Sequence, residues 1–499
     1  MYIRSFLRRL FRVAPLIYFF GVNQDQLSVD PKEQTIGNAS SDDVKLLETS
    51  APFSDFAPRD EAEYFNQWTN TQDYLPRRSA TAEERLCVHS IYSEIRILRL
   101  MDYFPEKFEG GGSLHNIGRR DDVHYIWSNV KNIQNGSVIG VLPRDMPRFI
   151  SDIFPNIPKS AQITIINTHD DWSNPIEIFT GGIRKRRPGF MEVAWGTSKV
   201  NRRERLQKLS AFIEDERLKH WYIQNYDLLG CSFWTDSELY RGFNSSHPVF
   251  TKVSPLPIGS GFYSLGCRKG QGDDKVLRQL GAFVPWSQRN IKILGGGMKI
   301  SSQKLSRQAM DNIVAEINNG VVFKRTREEG DSDIPGMNKN VKRYMTSVAS
   351  VQFAIAPQGN GLDTHRIWEV LALGTVPIVM TSSLDLLYSN FPIVIINHPS
   401  ELKAAKFVTK WTKRLTKRWG PEPISIEVRK RLRAMWWNDK VRSGTPVASS
   451  RSVEAFVASV EERSKAWPLC SIKQCKPKNL NDTSKRVACE TEVLKNNFP

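Results

Sequence analysis

The sequence predicts an α/β fold of two domains, each a parallel sheet covered by helices, with the two domains facing a cleft. Three observations predict it. A chain of 499 residues is longer than one hydrophobic core usually organises and expects two or three domains. Short apolar runs alternate with helix-length segments, the pattern of strand–helix–strand units. The stretch from Phe353 to Val379, FAIAPQGNGLDTHRIWEVLALGTVPIV, reads as buried strand, glycine turn, polar-laden helix and second buried strand.

The elements follow in chain order. Arg4, Arg8, Arg9 and Arg12 precede an apolar run, Val13 to Val22, which is shorter than the about twenty residues a membrane span needs. A secretory signal and a shortened signal-anchor both fit residues 1–25. The absence of a small-x-small cleavage pattern after Val22 favours the uncleaved anchor, and a basic amphipathic segment without targeting role is the alternative. Residues 26–84 are polar and Ser/Asp/Pro-bearing, as in a flexible stem. Gln162 to Asn167, His220 to Gln224 and Val253 to Ile258 are strand candidates, with a basic helical stretch from Lys199 to Lys219 among them. This half reads as a first Rossmann-like domain. Thr168-His169-Asp170-Asp171 stands where the first of these strands ends, a place for a reactive group; a loop with a helix-capping Asp is the other reading. Lys292 to Gly297 (KILGGG) is a strand running into glycines, which lacks the rest of a dinucleotide fingerprint.

The second half carries the sharper signal. Phe353 to Ala356 is a strand stopped by Pro357. Gly359 and Gly361 let a ligand approach the backbone closely, with Asn360 between them. Asp363 or Thr364 can cap the helix that follows. A helix start after a glycine turn favours anions, and Arg366 adds a planar fork suited to phosphate or carboxylate. Glu369 lies on the same helical side as Arg366, able to orient that Arg or accept hydrogen bonds from ribose hydroxyls. Ile367, Val370 and Leu371 face the core, and Gly374 ends the helix. Thr375 to Met380 is a strand, Leu384 to Leu387 a short helix, and Ile393 to Ile396 a third strand. In such sheets ligands bind beyond the carboxyl ends of the strands. A plainer account makes Arg366 and Glu369 an intrahelical ion pair and His365 a satisfied, partly buried histidine.

Taken with Pro357, Gly359, His365, Arg366, Trp368, Glu369, Gly374, Pro377, Ile378 and Val379, this segment resembles the donor-site signature of exostosin-like glycosyltransferases of the two-Rossmann-domain (GT-B) class. Val253-Ser-Pro-Leu-Pro-Ile-Gly259 is similar to the segment that joins the two domains in such enzymes. The close match covers about a twentieth of the chain, with a looser likeness over roughly residues 160 to 400. Asn360 to Asp363 differs from many exostosin sequences, which points to a neighbouring branch.

The resemblance implies transfer of a sugar from a nucleotide-sugar donor, a UDP-sugar before a GDP-sugar, to a glycan or glycoprotein hydroxyl. It implies donor binding by Gly359, Asn360, Gly361, Asp363, His365, Arg366 and Glu369, with Arg366 on the diphosphate and Glu369 at the nucleoside or sugar end. His169, Asp170 and Asp171 are the candidates for the catalytic base. The expected organisation is a signal or signal-anchor at 1–25, a stem at 26–84, an acceptor-side domain at 85–265, a donor-binding domain at 266–440 and a cysteine-bearing tail at 441–499. The expected location is the Golgi or ER lumen, with a single-pass anchor.

Composition bounds the alternatives. Hydrophobic residues make up 40% and aromatics 10%, enough for substantial cores. The net charge of +17 suits nucleotide donors, acidic glycans, anionic membranes or nucleic acid. One basic cluster is Arg184-Lys-Arg-Arg187 with Arg202, Arg203 and Arg205. The other, Lys403 to Arg433, interleaves Lys413, Arg414, Lys417 and Arg418 with Trp411 and Trp419; it reads either as a binding surface or as a solvated helix face with inward-packed Trp. No nucleic-acid module accompanies them, which weighs against nucleic acid; a nucleic-acid-binding protein using these clusters and a catalytically silent glycan-binding relative stand as the alternatives. No phosphate-binding Gly-Lys-Ser/Thr loop, His-Glu-x-x-His or Gly-x-Ser-x-Gly is present. Asp331-Ser-Asp333 reads as a solvated acidic loop, so no metal or other cofactor is expected, and the diphosphate charge falls to Arg366, helix amides and Lys324 or Arg325. Six cysteines and four glycosylation sequons (Asn38, Asn135, Asn244, Asn481) are present. In a lumenal protein the cysteines would form disulfides, and in a cytosolic one buried thiols.

Overall fold

A computed structural model describes residues 101–104, 124–125, 130–141, 146–167, 202–226, 248–261, 273–297, 305–326, 330–334, 337–358 and 362–448. The strands are β1 (Tyr103–Phe104), β2 (His124–Tyr125), β3 (Ser137–Val141), β4 (Ile163–Asn167), β5 (Leu218–Gln224), β6 (Val253–Leu256), β7 (Asn290–Gly296), β8 (Gly320–Phe323), β9 (Val351–Ile355), β10 (Val376–Met380) and β11 (Val394–Ile396). The helices that matter here are α1 (Arg202–Glu214), α2 (Asp273–Gln279), α3 (Leu305–Glu316), α4 (Lys339–Ala349), α5 (His365–Ala372), α6 (Asp385–Tyr388), α7 (Phe407–Trp419), α8 (Ile426–Arg431) and α9 (Ala434–Ser443).

The strands form two sheets, six in the order β2-β1-β3-β4-β5-β6 and five in the order β11-β10-β9-β7-β8. Every pairing is parallel. The α/β expectation with parallel sheets therefore holds. Both sheets reverse direction after their first strand: β3 lies on the opposite side of β1 from β2, and β9 on the opposite side of β7 from β8. Each reversal is a topological switch point of a doubly wound sheet.

Burial explains which runs became strands. Parallel sheets are covered on both faces, so their inner strands are apolar throughout rather than alternating. β3, β4, β9 and β10 are buried at every residue, whereas edge strand β8 is half-buried along its length. Proline falls where it costs little. Pro255 sits in edge strand β6, and Pro377 precedes the point where β11 begins to pair with β10.

The chain returns from the second sheet to the first through α9. Met435, Trp437 and Val441 are its buried face. Tyr222 Oη, from β5, donates to the carbonyls of Lys440 at 3.0 Å and Thr445 at 2.6 Å. Arg442 pairs with Asp102 at 3.1 Å, and Val447 N donates to Ser254 Oγ at 3.4 Å. The boundary expected at residue 440 thus falls inside a helix, and the one at 265 falls outside the described residues. All six cysteines and residues 1–100 also fall outside them. Among the described residues, no helix is long and apolar enough to cross a membrane. Of the sequon asparagines only Asn135 is described, exposed in the turn before β3.

Candidate functional site at the switch point of the second sheet

The amino end of α5 follows the carboxyl end of β9, next to the carboxyl end of β7. The backbone around it explains the local fold. Gly296 and Gly297, with φ of +80° and +68°, turn the chain out of β7 in a conformation that favours glycine. A Cβ at Gly297 would lie 2.6 Å from the Tyr344 ring, so the glycine also lets that ring approach. Gly374, at φ +80°, ends α5 as expected of a residue just past a helix.

Arg366 reaches across the switch point. Its Nη1 donates to Gly296 O at 2.9 Å, and its guanidinium lies over the Tyr344 ring, 4.7 Å from the centroid. A second guanidinium joins it. Arg307, on the first turn of α3, donates from Nε to Gln358 O at 2.8 Å. Burial, and after it the charge of Arg366, lowers the Arg307 pKa to about 10, so the two cations stand within electrostatic reach of each other. Asp311, also on α3, accepts from Gly296 N at 2.7 Å. Burial raises its pKa, and the charges of Arg366 and Arg307 act against that rise.

Glu369 and His365 hold the segment that joins the two sheets. Glu369 Oε1 accepts from Gly261 N at 3.1 Å. His365 Nδ1 is 2.8 Å from Gly259 O, and since a carbonyl only accepts, Nδ1 carries the proton. Arg366 and Glu369 therefore take different partners rather than forming the intrahelical pair that their spacing allows.

Asp363 has another place. It is buried, and its Oδ2 accepts from Ile258 N at 2.7 Å. Trp368 Nε1 lies 2.9 Å from both carboxylate oxygens, and Thr364 N donates to Oδ1 at 2.9 Å. Burial raises its pKa to about 6, against the pull of these donors. The carboxylate is spent on the protein, tying the crossover segment to the base of α5. Neither expected cap forms in the usual way: the N-cap of α5 is Thr364, with no side-chain bond to the helix amides.

Several buried polar atoms around the amino half of α5 have no hydrogen-bond partner among the described residues. They are Gln358 Nε2 beyond β9, Thr364 Oγ1 at the N-cap and Ser260 Oγ between the two residues that His365 and Glu369 hold. Such atoms are costly unless something pairs with them, about 1–3 kcal/mol each.

The remaining candidates divide as follows. Gly359, Asn360 and Gly361, and the base candidates His169, Asp170 and Asp171, lie outside the described residues. β4, which leads into the latter three, ends at Asn167. Lys324 and Arg325 follow β8, one strand beyond the switch point, and are exposed. Asp333 pairs with Lys342 at 2.6 Å on the surface, in keeping with a solvated loop. Sequence reasoning missed Arg307, Asp311 and Tyr344; the only sign of them was KILGGG, whose Gly296 is the partner of both Arg366 and Asp311 and whose Gly297 lies against Tyr344. Comparison of the chain with protein-family models returned no match, and neither did comparison with curated proteins.

Proposed function

We propose that this protein is a glycosyltransferase of the GT-B class, exostosin-like, that binds a nucleotide-sugar donor at the switch point of its second sheet. The observation that carries the reading is the pair of guanidiniums, Arg307 and Arg366, at that point beside α5, whose N-cap residue Thr364 makes no side-chain bond to the helix amides. A diphosphate is the ligand chemistry such a place suits, because planar forks and helix amides both favour phosphate oxygens. Gln358 Nε2 and Thr364 Oγ1, without a partner among the described residues, supply further donors.

The proposed reaction uses that placement. The bond between the anomeric carbon and the diphosphate oxygen breaks, and a glycan hydroxyl forms the new bond to carbon. Charge grows on the departing diphosphate, and Arg366, Arg307 and the amides of α5 stabilise it where it grows. A base in the first domain takes the hydroxyl proton, with His169, Asp170 and Asp171 as its candidates. A UDP-sugar is the favoured donor, and the lumen of the Golgi or ER the favoured location.

A thermal-shift screen against UDP, GDP, CMP and their sugars tests the reading. A ligand of the folded state raises the melting temperature in a concentration-dependent way. Stabilisation by UDP or a UDP-sugar is expected; no shift with any nucleotide would remove the proposal.

A further inference from the structure

The basic cluster after residue 400 is not used by the switch-point site. Between Glu401 and Glu422 the chain carries seven cations, Lys403, Lys406, Lys410, Lys413, Arg414, Lys417 and Arg418, and no Asp or Glu. Most of this run is α7, thirteen residues long. Phe407, Val408 and Leu415 are buried beneath it. Lys410, Lys413, Arg414 and Lys417 follow the i, i+3, i+4, i+7 spacing that gathers side chains on one helical face, and all four are exposed. Acids at either end are engaged elsewhere: Glu401 accepts from the amides of Asn397 and His398, and Glu422 from those of Trp286 and Ser287. Lys403 pairs with Glu316 at 2.8 Å. Lys406, Lys410, Lys413 and Lys417 have no ion-pair partner among the described residues.

We infer that the exposed face of α7 is a docking surface for an anionic phospholipid membrane. A helix face is convex, and a convex row of cations matches a plane of negative charge. A single polyanionic strand would be gripped by a groove with aromatic faces for its rings. Here the two tryptophans are already covered. Arg414 lies 5.0 Å over the Trp411 ring, while Arg418 and Arg431 lie 5.2 Å and 5.9 Å over Trp419. Both rings are also packed against the core. Membrane association of lasting strength takes two signals, an apolar insertion and a basic patch. α7 supplies the basic patch. This inference depends neither on the sugar-transfer reading nor on the lumenal location proposed with it.

The test is flotation of the full chain with vesicles of pure phosphatidylcholine and of equimolar phosphatidylcholine and phosphatidylserine. The wild-type chain should prefer the anionic vesicles, and added salt should erase the preference. A variant carrying Lys406→Glu, Lys410→Glu, Lys413→Glu and Lys417→Glu should lose that preference by at least about tenfold, since each lysine near a charged surface contributes measurably. These are surface side chains, and circular dichroism should be unchanged. Equal preference in the variant and the wild type would overturn the proposal, as would equal binding to neutral vesicles. Tight binding of a single-stranded oligonucleotide or a sulfated polysaccharide, without vesicle binding, would overturn it in favour of a polyanionic strand.

Discussion

Asn225 Oδ1 accepts a hydrogen bond from the backbone amide of Asp363 at 2.8 Å. Asn225 follows the carboxyl end of β5 in the first sheet, and Asp363 precedes α5 in the second. Asn225 is the one non-glycine with positive φ, 52°, among the described residues, a conformation asparagine tolerates better than most. Its neighbour Gln224 donates from Nε2 to Pro257 O at 3.1 Å. Loops beyond the carboxyl ends of both sheets thus meet at the crossover segment, where α5 begins.

Asp363 gives stability a pH dependence of definite sign. Its carboxyl has a folded pKa of about 6, above the about 3.9 of an unfolded Asp. The folded chain therefore holds the proton more tightly. The contribution is full below about pH 4 and is lost as pH rises through about 6, a change of up to about 3 kcal/mol. Asp363→Asn removes the titration. Chemical denaturation of both chains from acid to neutral pH should give a difference curve that flattens above that window, and a difference independent of pH would refute the assignment.

Arg366→Ala loses the bond to Gly296 O and the contact with the Tyr344 ring, a net cost of about 1–2 kcal/mol, so the chain should stay folded. If the chain transfers sugar as proposed, turnover should nevertheless fall by about a hundredfold or more, since the proposed charge-stabilising donor is gone. Arg307→Ala should follow the same pattern. Arg366→Lys should recover little, because an ammonium lacks the planar fork. Steady-state kinetics beside circular dichroism checks all three, and wild-type turnover in Arg366→Ala would dismiss its role.

Gly261→Ala separates position from stability. The added Cβ would lie 2.7 Å from Glu369 Oε1, a contact only the carboxylate can relieve by moving. The cost in stability should stay within about 1 kcal/mol, because the displaced atom ends a flexible chain. If Glu369 serves donor hydroxyls, donor affinity should weaken while the melting temperature barely changes. Isothermal titration with the stabilising nucleotide-sugar reads the first and calorimetry the second.

Arg289 is a prediction about the fold alone. Its guanidinium is buried and donates to the carbonyls of Val284, Leu373 and Ala282 and to Thr375 Oγ1. Burial, then the charge of Arg429, lowers its pKa to about 9. Arg429 likewise donates to the carbonyls of Ala372 and Ala282, so two cations sit at the carboxyl end of α5, where the helix dipole favours them. Arg289→Met should cost about 3 kcal/mol by orphaning buried carbonyls, and Arg289→Lys should not restore it. Urea denaturation measures both.

Local chemistry was enough to read most of the second sheet. The apolar runs Phe353 to Ala356, Thr375 to Met380 and Ile393 to Ile396 lie within a residue or two of β9, β10 and β11, because buried parallel strands announce themselves by composition alone. Polar residues on α5 were recognised as too many for plain core. β1, β2, β3 and β8 have no such signal: the first two are two residues long, β3 holds Gly140 and β8 is half-buried, so none forms a sharp apolar run.

Partnership was a different matter. Residue types and spacing could pair Arg366 with Glu369 just as well as separate them. Only the strand order, which sets the end of β7 beside that of β9, sends Arg366 to Gly296 and brings Arg307, fifty-nine positions earlier in the chain, to Gln358. Asp363 likewise reads as a ligand or a cap until the crossover segment closes over it and spends its carboxylate on Ile258. Secondary structure follows from neighbours a few residues away. A site is assembled from hydrogen bonds that span a hundred residues, and those exist only once both sheets have packed.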